Sequence, residues 1–158
     1  METPRDIFLM QQTYATLFSL TNKIQVKGDE YLKHLTSRQL MTLIAVVHLP
    51  QGEASLNNIA RMLGATKQSV NQLIAIIQKK GFVAVEPNAR DKRSVNIILT
   101  EAGKQAMLED GERGMQLFNN LFHEFTPEEM ETLWGMLKKL YRFDGEEQNG
   151  FEAEASIQ

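Results

Sequence analysis

Two helix-start signals, Ser55 and Thr66, stand eleven positions apart with a single glycine, Gly64, between them. A serine or threonine hydroxyl ahead of an apolar-periodic run accepts backbone N–H groups that a first helical turn leaves unpaired. After Ser55 the apolar positions Leu56, Ile59, Ala60 and Leu63 recur at three- and four-residue spacing, and after Thr66 come Val70, Leu73, Ile74 and Ile77. Gly64 falls where a helix ends on a left-handed residue, a conformation glycine adopts without steric cost. Ala60 is small where two such helices must cross closely. This punctuation predicts two short helices joined by a tight turn, a helix-turn-helix.

The flanks extend the pattern. Thr36 and Gln39 form a capping box for a preceding helix that buries Leu40, Leu43, Ile44 and Val47 and stops before Pro50. Beyond Lys79-Lys80-Gly81 the period changes, with short β-branched runs at Phe82–Glu86 and Val95–Leu99. The charged stretch Pro87–Ser94 between them predicts a β-hairpin with an exposed eight-residue loop, which makes the helix-turn-helix winged. Residues 5–28 read as a helix with a stripe of Ile7, Met10, Tyr14, Leu17, Thr21 and Ile24, with Gly28 as its stop. At ~1.5 Å per residue it spans about 36 Å, too long for so small a core, so its stripe is expected to find a partner chain. Thr100 starts another long helix, to about Phe122, and Thr126-Pro127-Glu128-Glu129 starts a last one, to about Phe143.

The fold class expected is therefore mainly α with a small β-hairpin wing, in one domain over residues 1–143. Residues 36–100 form its central lobe, flanked by the long helices of 5–28 and 101–143. The acidic tail 144–158, with five acids and no base, is expected to be disordered.

Net charge refines the function. The total of −3 averages over unlike parts: residues 1–35 are neutral, 36–100 carry +5 and 101–158 carry −8. A local basic field is what a phosphate backbone responds to, whatever the total. The 158 residues contain no cysteine, which excludes a disulfide scaffold, a thiolate nucleophile and any cysteine-ligated metal. His34, His48 and His123 lie in different segments without ligand spacing, so no metal is expected. No phosphate loop, nucleophile–base pair or cofactor motif is present, so the chain reads as no enzyme and without cofactor. The longest apolar runs have five residues against the ~20 of a membrane span, and Met1–Asp6 shows no secretory signal, so a cytoplasmic protein is expected.

Thr66, Lys67, Gln68, Ser69, Asn71 and Gln72 occupy the N-terminal half of the second short helix, the half that enters the major groove in this motif. All are polar, and Gln and Asn can pair bidentately with adenine. A winged-helix module that binds protein rather than DNA is the alternative, against which the cluster Lys67, Arg90, Lys92 and Arg93 speaks.

From about Leu35 to Gly103 the chain resembles the multiple-antibiotic-resistance regulator (MarR) family of bacterial winged-helix repressors. The resemblance rests on Leu35-Thr36-Ser37-Arg38-Gln39-Leu40, Ile59-Ala60-Arg61-Met62-Leu63-Gly64, and Val70 through Val83. It rests most on the wing, Arg90-Asp91-Lys92-Arg93-Ser94, leading into Leu99-Thr100-Glu101-Ala102-Gly103. It implies that 36–100 is a DNA-binding lobe and that 5–28 and 101–143 are dimerisation helices of a homodimeric regulator on a pseudo-palindromic double-stranded DNA operator, a repressor released by a small aromatic or anionic ligand. It also implies that Arg93 reaches the minor groove while Asp91 orients it. Gln72 stands where many members place an arginine, so strong guanine readout is not implied there. Tyr14, Phe18 and Tyr31 are candidates to line the ligand pocket, at the junction of the first, second and fifth helices.

Overall fold

The computed structural model describes residues 3–148 and 150–152. Helices α1 (Pro4–Tyr31), α2 (Ser37–His48), α3 (Leu56–Leu63) and α4 (Lys67–Lys79) precede strands β1 (Val83–Pro87) and β2 (Val95–Leu99). Then come α5 (Glu101–Phe122), α6 (Pro127–Tyr141) and a 3-10 turn, Arg142–Asp144. The strands form an antiparallel hairpin in which Val83 faces Leu99 and Pro87 faces Val95. Among the described residues no helix is long and apolar enough to cross a membrane.

The capping residues act as the spacing predicts. Thr36, Ser55, Thr66, Thr100 and Thr126 each accept the N–H of the residue three positions on, and Gly64 ends α3 at φ 63°. The core belongs to the lobe: Leu43, Ile59, Val70 and Ile77 are fully buried, sealed by Ala54, Val83 and Ile97. From α5 only the first turns enter it, through Met107. By contrast α1 buries Gly28 alone and α6 buries nothing, which leaves large apolar side chains of both exposed.

Three expectations change. Gly28 does not stop α1, which runs on to Tyr31. It marks instead the point where α1 crosses the start of α2, since a Cβ there would collide with Ser37 Oγ. The wing loop is shorter by one, because Pro87 pairs within the sheet and Asn88 N–H then donates to Ser94 O at 3.1 Å. The acidic tail is docked as far as it is described: Gln148 Nε2 donates to Met62 O at 2.8 Å and Phe151 packs against the core. Phe151 is a large aromatic residue in that acidic stretch, and its partial burial supplies a reason to order the segment. Residues 153–158 lie outside the described residues.

Candidate nucleic-acid interface

α4 is held from below by Val70, Ile74 and Ile77, which turns its opposite, N-terminal face outward. Two of the six predicted groove residues serve the local structure. Thr66 Oγ1 accepts Ser69 N–H at 3.1 Å, and Ser69 Oγ accepts Arg38 Nη2 at 3.0 Å. Lys67, Gln68, Asn71 and Gln72 are exposed, and among the described residues their side chains have no hydrogen-bond partner. Lys67 with Asn71, and Gln68 with Gln72, are i,i+4 neighbours about 5–6 Å apart, so they form one outward patch. Arg38 was not singled out from the sequence. It lies on another helix, and only the packing of α2 beside α4 adds its guanidinium to this face.

The wing is built from side chains that bond their own backbone. Asn88 Oδ1 accepts the N–H of Arg90 at 2.9 Å, and Asp91 Oδ1 accepts the N–H of Arg93 at 3.0 Å, local turns of the Asx kind. The same Asp91 oxygen accepts Arg93 Nε at 3.4 Å while the arginine side chain stays 92% exposed. The pair sits in a turn, and the aspartate aims the arginine through a shared oxygen. Arg90 and Lys92 are also exposed, on either side of Asp91.

The wing is aligned with α4 through a close approach. Thr100 Oγ1 donates to Gly81 O at 2.7 Å and its N–H to Phe82 O at 3.0 Å. Gly103 then passes over this corner, where any Cβ would collide with Phe82 O. The Thr100-Glu101-Ala102-Gly103 pattern is thus the geometry that seats α5 against the end of α4.

A second group of residues joins the lobe to α5. Asp110 is fully buried, and its carboxylate accepts the N–H groups of Lys33, His34 and Leu35 at 3.0, 3.0 and 2.8 Å. Lys80 Nζ, from the end of α4, donates to His34 O at 3.0 Å and to Gln39 Oε1 at 2.7 Å. His34 Nε2 lies 2.6 Å from Glu109 Oε2. Hydrogen bonds from Gln105 and then from His34 hold the Glu109 carboxyl below the usual glutamate range. The sequence carries a signal for Asp110, which is in phase with Gly103, Ala106 and Met107, the buried face of α5.

The three aromatic ligand candidates do not come together. Tyr14 lines an apolar groove of about 1030 Å³ with Met10 and Leu17 of α1 and Leu140, Tyr141 and Phe143 beyond. Phe18 is exposed outside it, and the Tyr31 hydroxyl accepts Asn120 Nδ2 at 2.8 Å on α5. Tyr14 and Tyr31 sit on one continuous helix, so roughly 25 Å of rise separates them. The groove therefore lies between α1 and the end of α6, away from the junction of α1, α2 and α5. The histidines are likewise apart: His48 Nδ1 lies 2.8 Å from Ile44 O and His123 Nδ1 3.0 Å from Asn120 O.

With this geometry in hand, comparisons with known proteins are informative. A family model described as the MarR family matches residues 35–94. YwhA of Bacillus subtilis (strain 168), described as an uncharacterized HTH-type transcriptional regulator, is 26% identical over 89 residues, 56% of this chain. The match spans 64% of that relative's own length. The structure resembles that of the S. aureus MepR–DNA complex at 25% identity and a TM-score of 0.72, over 81% of this chain and 96% of that one. It also shares the fold of Sco3205, a MarR family transcriptional regulator from Streptomyces coelicolor solved in complex with DNA. There the identity is 17% and the TM-score 0.75, over 90% of this chain and 89% of that one. The matched segment runs from Leu35, through the two short helices, to the end of the Asp91–Arg93 wing, the same residues that carry the outward polar and basic face. Over residues 35–94 the chain thus matches the MarR family model, and its winged helix-turn-helix fold is that of the transcriptional regulators it resembles.

Proposed function

We propose that the protein is a sequence-specific DNA-binding regulator that acts as a homodimer and represses where its operator overlaps a promoter. One observation carries the reading: Lys67, Gln68, Asn71 and Gln72 present free donors and acceptors beside Arg38, while Asp91 holds Arg93 outward on the wing. Gln and Asn on the helix suit adenine edges in the major groove, and an exposed arginine on the wing suits a narrow minor groove. The MepR and Sco3205 structures, which share this fold, are both DNA complexes and support a DNA partner.

α6 supports the dimer. A fifteen-residue helix with no buried residue and with Trp134, Met136, Leu137 and Leu140 exposed has too little of its own to hold it, since isolated helices of ~12–15 residues are marginal in water. The α1–α6 groove is its counterpart, and a second copy supplies the apolar cover. The part of the groove left open beside Tyr14 and Tyr141 suits a small aromatic ligand, which releases DNA only as far as it prefers one lobe spacing over another.

A fluorescence-anisotropy salt titration on operator DNA, with sedimentation alongside, tests this reading. Three or four cationic contacts per protomer, drawn from Lys67, Arg90, Lys92 and Arg93, predict a slope of log affinity against log salt of roughly −5 to −7 for the dimer. A slope shallower than about −2 favours the protein-interaction module instead, and a monomer that binds operator undiminished refutes the dimer.

A further inference from the structure

α6 touches the reading lobe sparsely. Tyr141 Oη donates to Arg61 O at 3.4 Å, a long bond, and α6 itself buries no residue. Past the turn at Gly145 the chain returns to the lobe. Gln148 Nε2 donates to Met62 O at 2.8 Å, and Gly150 sits so close to the Met62 side chain that a Cβ there would press into it. Phe151 lies edge-on to His48 of α2, with ring centroids 5.6 Å apart, and packs against the core. Glu152 then accepts Lys138 Nζ of α6 at 3.0 Å, which closes a loop from α6 to α3, to α2 and back.

The place of contact matters. Met62 is in the last turn of α3, whose carbonyls have no partner within the helix, and it directly precedes the Gly64 turn that launches α4. A side chain anchored on that carbonyl ties the base of the recognition helix to α6.

We propose that Gln148 and Phe151 are positioning residues: they strap α6 to α3 and hold the reading lobe at one angle to the flanking helices, the angle that binds DNA. The link to DNA rests on the function proposed above; the strap itself does not. Without it the lobe samples several angles, and apparent affinity falls with the fraction that is competent.

The chain has no cysteine, so Asn57→Cys on α3 and Glu131→Cys on α6, both at exposed positions, give a unique nitroxide pair. Diluting the labelled chain in excess unlabelled chain restricts pulsed dipolar spectroscopy to distances within one protomer, whatever the oligomeric state. The parent should give one narrow distribution. Phe151→Ser combined with Gln148→Ala should broaden or shift it, and Phe151→Leu should preserve it. On unlabelled chains the double variant should bind operator about three- to tenfold more weakly. Its salt slope should not change, because neither substitution alters charge. An unchanged distance distribution in the double variant, or operator binding as tight as the parent's, overturns the proposal. A parent chain that binds no duplex at all overturns the DNA-reading function, while the spin-label distances still decide the strap.

Discussion

Replacing Asp110 by alanine removes a carboxylate that three consecutive backbone N–H groups share, and the cost can be worked out group by group. Leu35 is 5% exposed, so its N–H, bonded at 2.8 Å, gains no water when the acceptor goes. A buried donor left unpaired costs about 1–3 kcal/mol. His34 is half-buried and Lys33 exposed, so solvent replaces much of what their N–H groups lose, and together they add roughly 1 kcal/mol. Relief of the carboxylate's own desolvation works the other way and keeps the total from growing further. The net expectation is a loss of about 2–4 kcal/mol. For a chain of this size each kcal/mol shifts the midpoint by ~2–4 °C, so thermal unfolding should move down by about 5–15 °C. Urea and thermal unfolding at one fixed protein concentration measure this, since the stability of a self-associating chain depends on concentration. Asp110→Asn keeps one accepting oxygen but turns an NH2 toward the same donors, so it should recover only part of the loss. A loss under ~1 kcal/mol for Asp110→Ala would show that the linker stands without the carboxylate, and the joint described here would be wrong.

Two further outcomes follow from the same geometry. Asn71→Ala or Gln72→Ala should cost about 1–3 kcal/mol on the best operator and relax its sequence preference, whereas Arg93→Ala should weaken related sequences more evenly; competition binding with operator variants ranks them. The Glu109 carboxyl is held below its ordinary range by Gln105 and His34, so it stabilises the fold above the unfolded-state value. That contribution is lost as pH falls through the lowered value, so Glu109→Gln should flatten the acid limb of a stability-against-pH curve, read by urea unfolding at successive pH values.

Local chemistry was legible in the sequence because it acts over three or four residues. The hydroxyl of Thr36, Ser55, Thr66, Thr100 or Thr126 has its partner three positions on, and the left-handed Gly64 answers to its own φ, so spacing alone sets the starts of α2 to α6 and the turn of the motif. The order of elements and the outward face of α4 follow from the same periodicity, as do Lys67, Gln68, Asn71 and Gln72 upon it. Tertiary structure decided whatever joins distant segments. Gly28 looks like a helix stop until α2 is seen to cross it, and Arg38 is an ordinary charge until Ser69 of another helix receives it. Asp110 has its three donors 75 to 77 positions away, and Phe151 meets His48 from the far end of the chain. Tyr14 and Tyr31 were separated because a helix that did not stop at Gly28 carries Tyr31 roughly 25 Å beyond Tyr14. Hydrogen-bond and contact energies fall off within a few ångströms, so a sequence reports them only when chain spacing already brings the partners together; across a fold, packing alone does so.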